Sequence, residues 1–324
     1  MRASVCCSRA VCRRSKQHLD HAHIDVLFQE VGGEAVPGLR REEVAQRANV
    51  NGHQVVGLAR SEDNVRTLEK LGAEVHRGSL QDLESLKRGA RDSDGVIHLA
   101  FIHDFSKFAE NGAIGKTAIE AMGDVLAGTN KPFIVTSGTG LIAPNVVITE
   151  DMRRESSPHV PRVSEQAGLA YASRGVRAMA IRLPQVHGAD GKAGLITYLL
   201  ELARQKGAAA YVGEGAERWA AAHGQDVARL YRLALEKGVP DGIYHAVGEE
   251  GVPMRQVIDV IGRALNVPVV SIRNEEAGDY YGPLAMFAGL DMPASSALTQ
   301  QRLGWTPTGI GLIADIGRPG YFKV

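Results

Sequence analysis

Apolar positions along the chain alternate between two spacings. HQVVGLA at 53–59 is a short valine-rich run and predicts a buried parallel strand. Ser61 then opens a pattern in which Val65, Leu68 and Leu71 share one helical face, closed by Gly72. AEVH at 73–76 predicts a strand, and residues 82–90, with Leu83 and Leu86 on one side, a helix. GVIHLAF at 95–101 and PFIVTS at 132–137 predict two more strands, flanking a long helix over 105–126. Residues 162–174 read as helix and VRAMAIRL at 176–183 as a further strand. Such alternation predicts an α/β protein with a doubly wound parallel sheet, its ligand crevice at the carboxyl ends of the strands.

After Leu183 the rhythm changes. Helices fit 195–205, 226–236 and 254–265, and short strands fit 243–247 and 269–272. The expected organisation is an irregular segment at 1–23 and a Rossmann domain at 24–182 plus about 224–250. A smaller substrate-binding lobe takes 183–223 plus 251–324.

Composition narrows the function classes. Among 324 residues, 37 basic and 37 acidic side chains cancel, so nothing points to nucleic acid or an anionic membrane as partner. No apolar run is long enough to cross a bilayer. Cys6, Cys7 and Cys12 are the only cysteines, so the body holds neither disulfide nor thiolate metal site. This fits a reducing, cytoplasmic setting, and the scattered histidines predict no metal. Residues 1–19 carry Arg2, Arg9, Arg13, Arg14 and Lys16 with no acid, a composition shared by organellar transit peptides and by a displaced reading start. The second account is preferred.

Several landmarks occur in a fixed order: GHQVVGLARS at 52–61, AEVHRGSLQD at 73–82, GVIHLA at 95–100, VTSGTG at 135–140 and RLPQVHG at 182–188. QDVARLYRLALE at 225–236, YHAVGEEGVPMRQVIDVIG at 244–262 and LGWTP at 303–307 follow. Together they resemble the atypical and extended short-chain dehydrogenase superfamily, the group of nucleotide-sugar epimerases and dehydratases, over about residues 51–316. The resemblance implies a nicotinamide dinucleotide. Arg60 and Ser61 stand where an acid would bind the ribose 2′-hydroxyl, so a 2′-phosphate, and NADP(H) over NAD(H), is favoured. Ser79 and Leu80 would flank the adenine, and Leu99, Ala100, Phe101 and Pro184 would wall the cofactor. His98 reads as a core residue.

Two family signatures are degraded. The glycine-rich phosphate loop is matched only by residues 31–38, with Gly32 and Gly38 at suitable spacing and Glu34 an unfavourable carboxylate; a surface loop or corrupted segment is preferred over a working phosphate loop. The Y-x-x-x-K pair is absent, since no tyrosine is followed by lysine four residues on. Ser137 matches the family serine, and His187 is the substitute proton-transfer group. His103, Arg162, Arg218, Trp219 and His223 are the candidate substrate contacts, with lobe packing the alternative for Arg218 and Trp219.

The leading expectation is an NAD(P)-dependent oxidoreductase acting on a carbonyl or hydroxyl of a small molecule. A nucleotide-sugar epimerase or dehydratase and a non-catalytic NADP-binding sensor are the rivals. Family dimers suggest a homodimer through the 105–126 and 162–174 helices.

Overall fold

The computed structural model describes residues 26–28, 44–45, 47–48, 51–102, 107–140, 142–143, 145–153, 163–188 and 194–322. The first described element is β1 (Val26–Phe28), and a helix, α1, follows, whose described residues are 44, 45, 47 and 48. Next come β2 (Val55–Ala59), α2 (Glu62–Lys70), β3 (Glu74–Arg77), α3 (Leu83–Asp92), β4 (Gly95–His98), α4 (Phe108–Leu126) and β5 (Pro132–Gly138). Helix α5 (Ser164–Leu169), a 3-10 turn at Ala172–Arg174 and β6 (Arg177–Leu183) complete the first half. The second half contains β7 (Gln185–His187), α6 (Gly194–Lys206), β8 (Ala209–Val212), β9 (Arg218–His223), α7 (Gly224–Lys237), β10 (Gly242–His245) and β11 (Glu249–Pro253). Then follow α8 (Met254–Leu265), β12 (Val269–Ile272), α9 (Ala277–Tyr281), α10 (Ala297–Leu303) and α11 (Leu312–Ile316).

Seven strands pair in parallel in the order β10-β6-β5-β4-β1-β2-β3. The strands expected at 53–59, 95–101 and 132–137 therefore share one sheet, and β1 lies between β2 and β4. The order reverses there, which sets the ligand crevice beside β1 and β4. Strand alternation sends Ile134, Met179 and Ile181 to one face, under α7, and Phe133, Val135 and Ala178 to the other, under α4 and α5. A Cβ added at Gly168 of α5 would lie 2.5 Å from Val135 Cγ1, so glycine there lets α5 settle directly on β5.

The helix expected over 162–174 is shorter. Described residues form α5, after which Tyr171 turns inward, 5% exposed, and donates its hydroxyl proton to Glu120 O and Asp124 Oδ1, both at 2.9 Å. Burial first, and the Asp124 hydrogen bond second, push that phenol up to about 12. The anchor tightens the chain into 3-10 geometry, with Tyr171 N bonded to Gly168 O.

Four strands of the second half, β7, β8, β9 and β11, escape the sequence reading, and β8 pairs in parallel with the expected β12. β7, β9 and β11 form a small sheet in the order β11-β9-β7, whose Val186 and Ala222 pack toward the Rossmann core. Its opposite face, with Trp219 and Ala221, packs on α8 and α11 to form the lobe's own core. Among the described residues no helix is long and apolar enough to cross a membrane.

Candidate functional site

Ser137, Arg182 and His245 lie side by side in register on β5, β6 and β10, so their side chains leave the same sheet face. That face is the one covered by α5, and Glu165 on α5 meets the row. Arg182 donates Nε to Glu165 Oε2 at 2.8 Å and Nη2 to Oε1 at 2.6 Å, a bidentate pair with both residues almost wholly buried. Two further protons reach Met152 O at 2.8 Å and His245 Nε2 at 3.1 Å. His245 therefore carries its proton on Nδ1, which donates to Ser295 O at 2.7 Å. Burial is the main reason its pKa falls to about 4, so the ring is neutral near pH 7. The network continues from the His245 N–H to Thr299 Oγ1, which donates to Glu150 Oε1 at 2.6 Å.

His187 lies elsewhere, on the face of the small sheet beneath α11. Its Nδ1 meets Asp315 Oδ2 at 2.8 Å, both groups closed to solvent. The proton sits on Nδ1, leaving Nε2 as a buried acceptor with no partner among the described residues. Burial lowers the imidazole pKa against the opposing pull of Asp315. His223 packs edge-on to this ring, 5.5 Å between centroids, while its own Nδ1 accepts from Gln225 N and caps α7. Gly188, at φ +106°, makes room for it; a Cβ there would stand 2.6 Å from His223 Nε2.

The two remaining candidates on β9 point apart. Trp219 enters the lobe core, its Nε1 without a hydrogen-bond partner among the described residues. Arg218 is exposed but held by Asp291, with Nε on Oδ1 at 3.0 Å and Nη2 on Oδ2 at 2.7 Å.

On the cofactor side, Leu80, Leu99, Ala100 and Phe101 are buried at the strand ends, and Phe101 stacks edge-on against Phe108 at 5.7 Å. Ser79 and Pro184 are half-buried. Arg60 is exposed and makes no ion pair among the described residues. Ser61 has a local task, since its Oγ accepts from Asn64 N at 3.3 Å and caps α2. Gly32, Gly38, His103 and Arg162 lie outside the described residues. The buried His98 is a core residue as expected, its carbonyl taking the Thr136 hydroxyl at 2.8 Å. Among the described residues no cluster of three or more His, Cys, Asp or Glu could hold a metal.

Sequence reasoning missed Glu165, Asp291 and Asp315 as members of these sites. Nothing local marks them, because their partners lie 17, 73 and 128 residues away.

The fold and these sites together define a dinucleotide-binding protein of the short-chain dehydrogenase type. The chain belongs to the NAD dependent epimerase/dehydratase family, whose model matches residues 42–247. It is 43% identical over 287 residues to "Uncharacterized protein C2A9.02" of Schizosaccharomyces pombe, covering 88% of this chain and 97% of that one. It is 46% identical over 270 residues to "Uncharacterized protein YLL056C" of Saccharomyces cerevisiae, covering 82% and 90%. Among solved structures it resembles DesIV, a dTDP-glucose 4,6-dehydratase from Streptomyces venezuelae with NAD and TYD bound. The TM-score is 0.68 at 18% identity, covering 92% of this chain and 96% of that one.

Proposed function

We propose that the protein is an NAD(P)-dependent oxidoreductase that interconverts a hydroxyl and a carbonyl on a small molecule. The observation that carries this reading is Ser137 at the carboxyl end of β5, next to the β4 end that carries Leu99, Ala100 and Phe101. The residues present fit a dinucleotide: buried apolar side chains wall the crevice, and Arg60 at the end of β2 makes no ion pair among the described residues. Arg60 would meet a 2′-phosphate, which favours NADP(H) over NAD(H). The nicotinamide, when bound, accepts or gives the hydride.

Ser137 holds the reacting oxygen by hydrogen bond. The candidate for the proton is His187, which lies on the small sheet outside the Ser137 row and is closed to solvent, so it serves as base only where a substrate opens a way to its Nε2; its Nδ1–H to Asp315 fixes the tautomer that this requires. A base must be unprotonated, so oxidation falls as the pH drops through the His187 pKa, which lies below 6.5 because of burial. A reducing, cytoplasmic setting and a homodimer through α4 and α5 complete the reading.

The test is a screen of alcohols, aldehydes, ketones and nucleotide sugars with NADP(H) and NAD(H). Turnover should drop about a hundredfold or more in Ser137→Ala and in His187→Phe, while cofactor binding survives both. Tight cofactor binding with no turnover of any substrate sinks the enzyme reading in favour of a sensor. Turnover indifferent to both substitutions discards this site.

A further inference from the structure

We propose that Arg77 is a second ligand for the cofactor's 2′-phosphate beside Arg60, with Glu62 as the carboxylate it exchanges for that phosphate. This rests on the NADP(H) reading of Arg60 and adds a residue that decides the cofactor.

Strand register brings the two arginines together. β2 and β3 run parallel with Ala59 opposite Arg77, so Arg60 leaves the end of β2 about 5 Å from the end of β3. In sheets of this kind the group at the ribose 2′ position is read just past the second strand. A long side chain at the end of the adjacent strand reaches the same place.

The backbone at Arg77 is fixed from both sides. Gly78 N donates to Ala59 O at 3.2 Å, and Arg77 O accepts from Ser85 Oγ at 2.7 Å. His76 sends its ring to the α3 side, with Nε2 at 3.0 Å from Ser85 Oγ. The next side chain along a strand leaves by the opposite face. Arg77 accordingly reaches the start of α2, where its Nη2 donates to Glu62 Oε1 at 2.7 Å.

Three arginines and two carboxylates share this corner. Glu62 and Asp63 both lie in the first turn of α2. Asp63 is held by Arg66 of its own helix, and Glu62 by Arg77. Arg60 makes no ion pair among the described residues.

The Arg77–Glu62 pair stands in water, its side chains 52% and 68% exposed. An exposed ion pair is weak, worth a factor of about five at most, and salt screens it. A phosphate brings nearly twice the charge of a carboxylate, and a guanidinium meets it through paired hydrogen bonds. The phosphate therefore outcompetes Glu62 for Arg77. Arg60 and Arg77 then hold it from two strand ends, and Glu62 turns to water. A ribose 2′-hydroxyl lacks that charge and leaves the pair closed.

The test titrates NADPH and NADH into the full chain by calorimetry, for the wild type, Arg77→Met, Glu62→Gln and Asp63→Asn. All three side chains are exposed, so thermal midpoints should stay near the wild type. Arg77→Met should weaken NADPH about tenfold, the lower end for a charge-assisted contact because Glu62 must first be given up, and NADH by less than about twofold. Glu62→Gln should tighten NADPH about two- to fivefold by freeing Arg77. Asp63→Asn removes the same charge one residue on without freeing Arg77, and should change NADPH affinity less than Glu62→Gln does. Unchanged NADPH affinity in Arg77→Met, equal losses for both cofactors, or equal gains in Glu62→Gln and Asp63→Asn overturn the proposal. The Arg60 reading survives those results as long as the wild type prefers NADPH and Arg60→Ala removes the preference. Equal wild-type affinity for both cofactors, or binding of neither, sinks that reading and this proposal with it.

Discussion

Arg60 and Arg182 stand at carboxyl ends of strands in one sheet, and their surroundings are opposite. Arg60 reaches into water with no ion-pair partner among the described residues. Arg182 is wholly buried, and its donors go to Glu165, Met152 O and His245. A guanidinium in water needs no partner, and it keeps its full charge for a ligand. A guanidinium removed from water must be matched donor by donor, and what results joins parts of the chain. Here it joins α5 to β6 and β10 and, through His245, to Ser295 and Thr299 near α10. The end of β2 thus keeps a charge open to solvent, while the end of β6 has used its charge to set the positions of strands around Ser137.

Breaking the buried side gives the largest expected effect. Arg182→Met leaves Glu165 buried without its partner, and the loss should be about 3–5 kcal/mol of stability. Glu165→Gln should be comparably harmful. The double variant Glu165→Leu with Arg182→Met should recover a large part of either loss, because no buried charge of the pair is left alone. Denaturant unfolding of the four proteins measures this. A cost below about 1 kcal/mol for each single change would show that the pair is incidental.

The same network should make stability depend on pH. The folded pKa of His245 is depressed to about 4 from an ordinary 6.5, so in that window the unfolded chain binds more protons than the folded one. Its contribution is fully present above about pH 6.5 and is lost as the pH falls toward about 4. His187, lowered by burial, acts in the same direction. Thermal midpoints of the wild type should therefore fall more steeply across this window than those of His245→Gln. Parallel curves would remove His245 from the account.

How much of this was legible in the sequence follows the distinction between local and distant causes. Strands β2 to β6 and helices α2 to α4 were readable, because spacing within a single element decides which face is buried. Ser61 as a helix opener and His98 as core were readable for the same reason. β7, β8, β9 and β11 were not. They are short, and AAA within β9 carries no alternation to distinguish strand from helix. The chain after Leu183 also moves between two cores, so its apolar pattern serves two partners. At the site, Ser137 and the RLPQVHG segment were visible as motifs. The carboxylates that decide what Arg182, Arg218 and His187 do were invisible, since each comes from a distant part of the chain.

On the exposed side the expected effect is smaller and concerns selectivity. Arg60→Ala should leave folding nearly untouched, as the side chain packs little and pairs with nothing among the described residues. A charge-assisted contact to a 2′-phosphate is worth about 1.5–3 kcal/mol, so the variant should lose roughly ten- to a hundredfold in NADPH affinity and little in NADH affinity. Titration of both cofactors against both proteins reads this directly. Equal wild-type affinity for NADPH and NADH would end the assignment and leave Arg60 as solvated surface.

Ser61, the next residue, supplies the smallest effect and separates two roles that sequence position alone leaves joined. Its Oγ accepts the Asn64 N–H at the start of α2, and that helix carries Glu62 and Asp63 in its first turn, where acids complement the helix dipole. Losing the cap should cost about 1 kcal/mol, since one N–H of the first turn loses its acceptor. The hydroxyl is already engaged, so Ser61→Ala should change the NADPH-to-NADH ratio far less than Arg60→Ala does. Ser61→Asp provides the converse, because aspartate caps a helix as well as serine and also places a negative charge beside the 2′ position. Stability should then stay near the wild type, while NADPH binding weakens by repulsion and NADH binding is spared. If Ser61→Ala instead abolishes the cofactor preference at unchanged stability, the hydroxyl serves the phosphate and the cap is incidental.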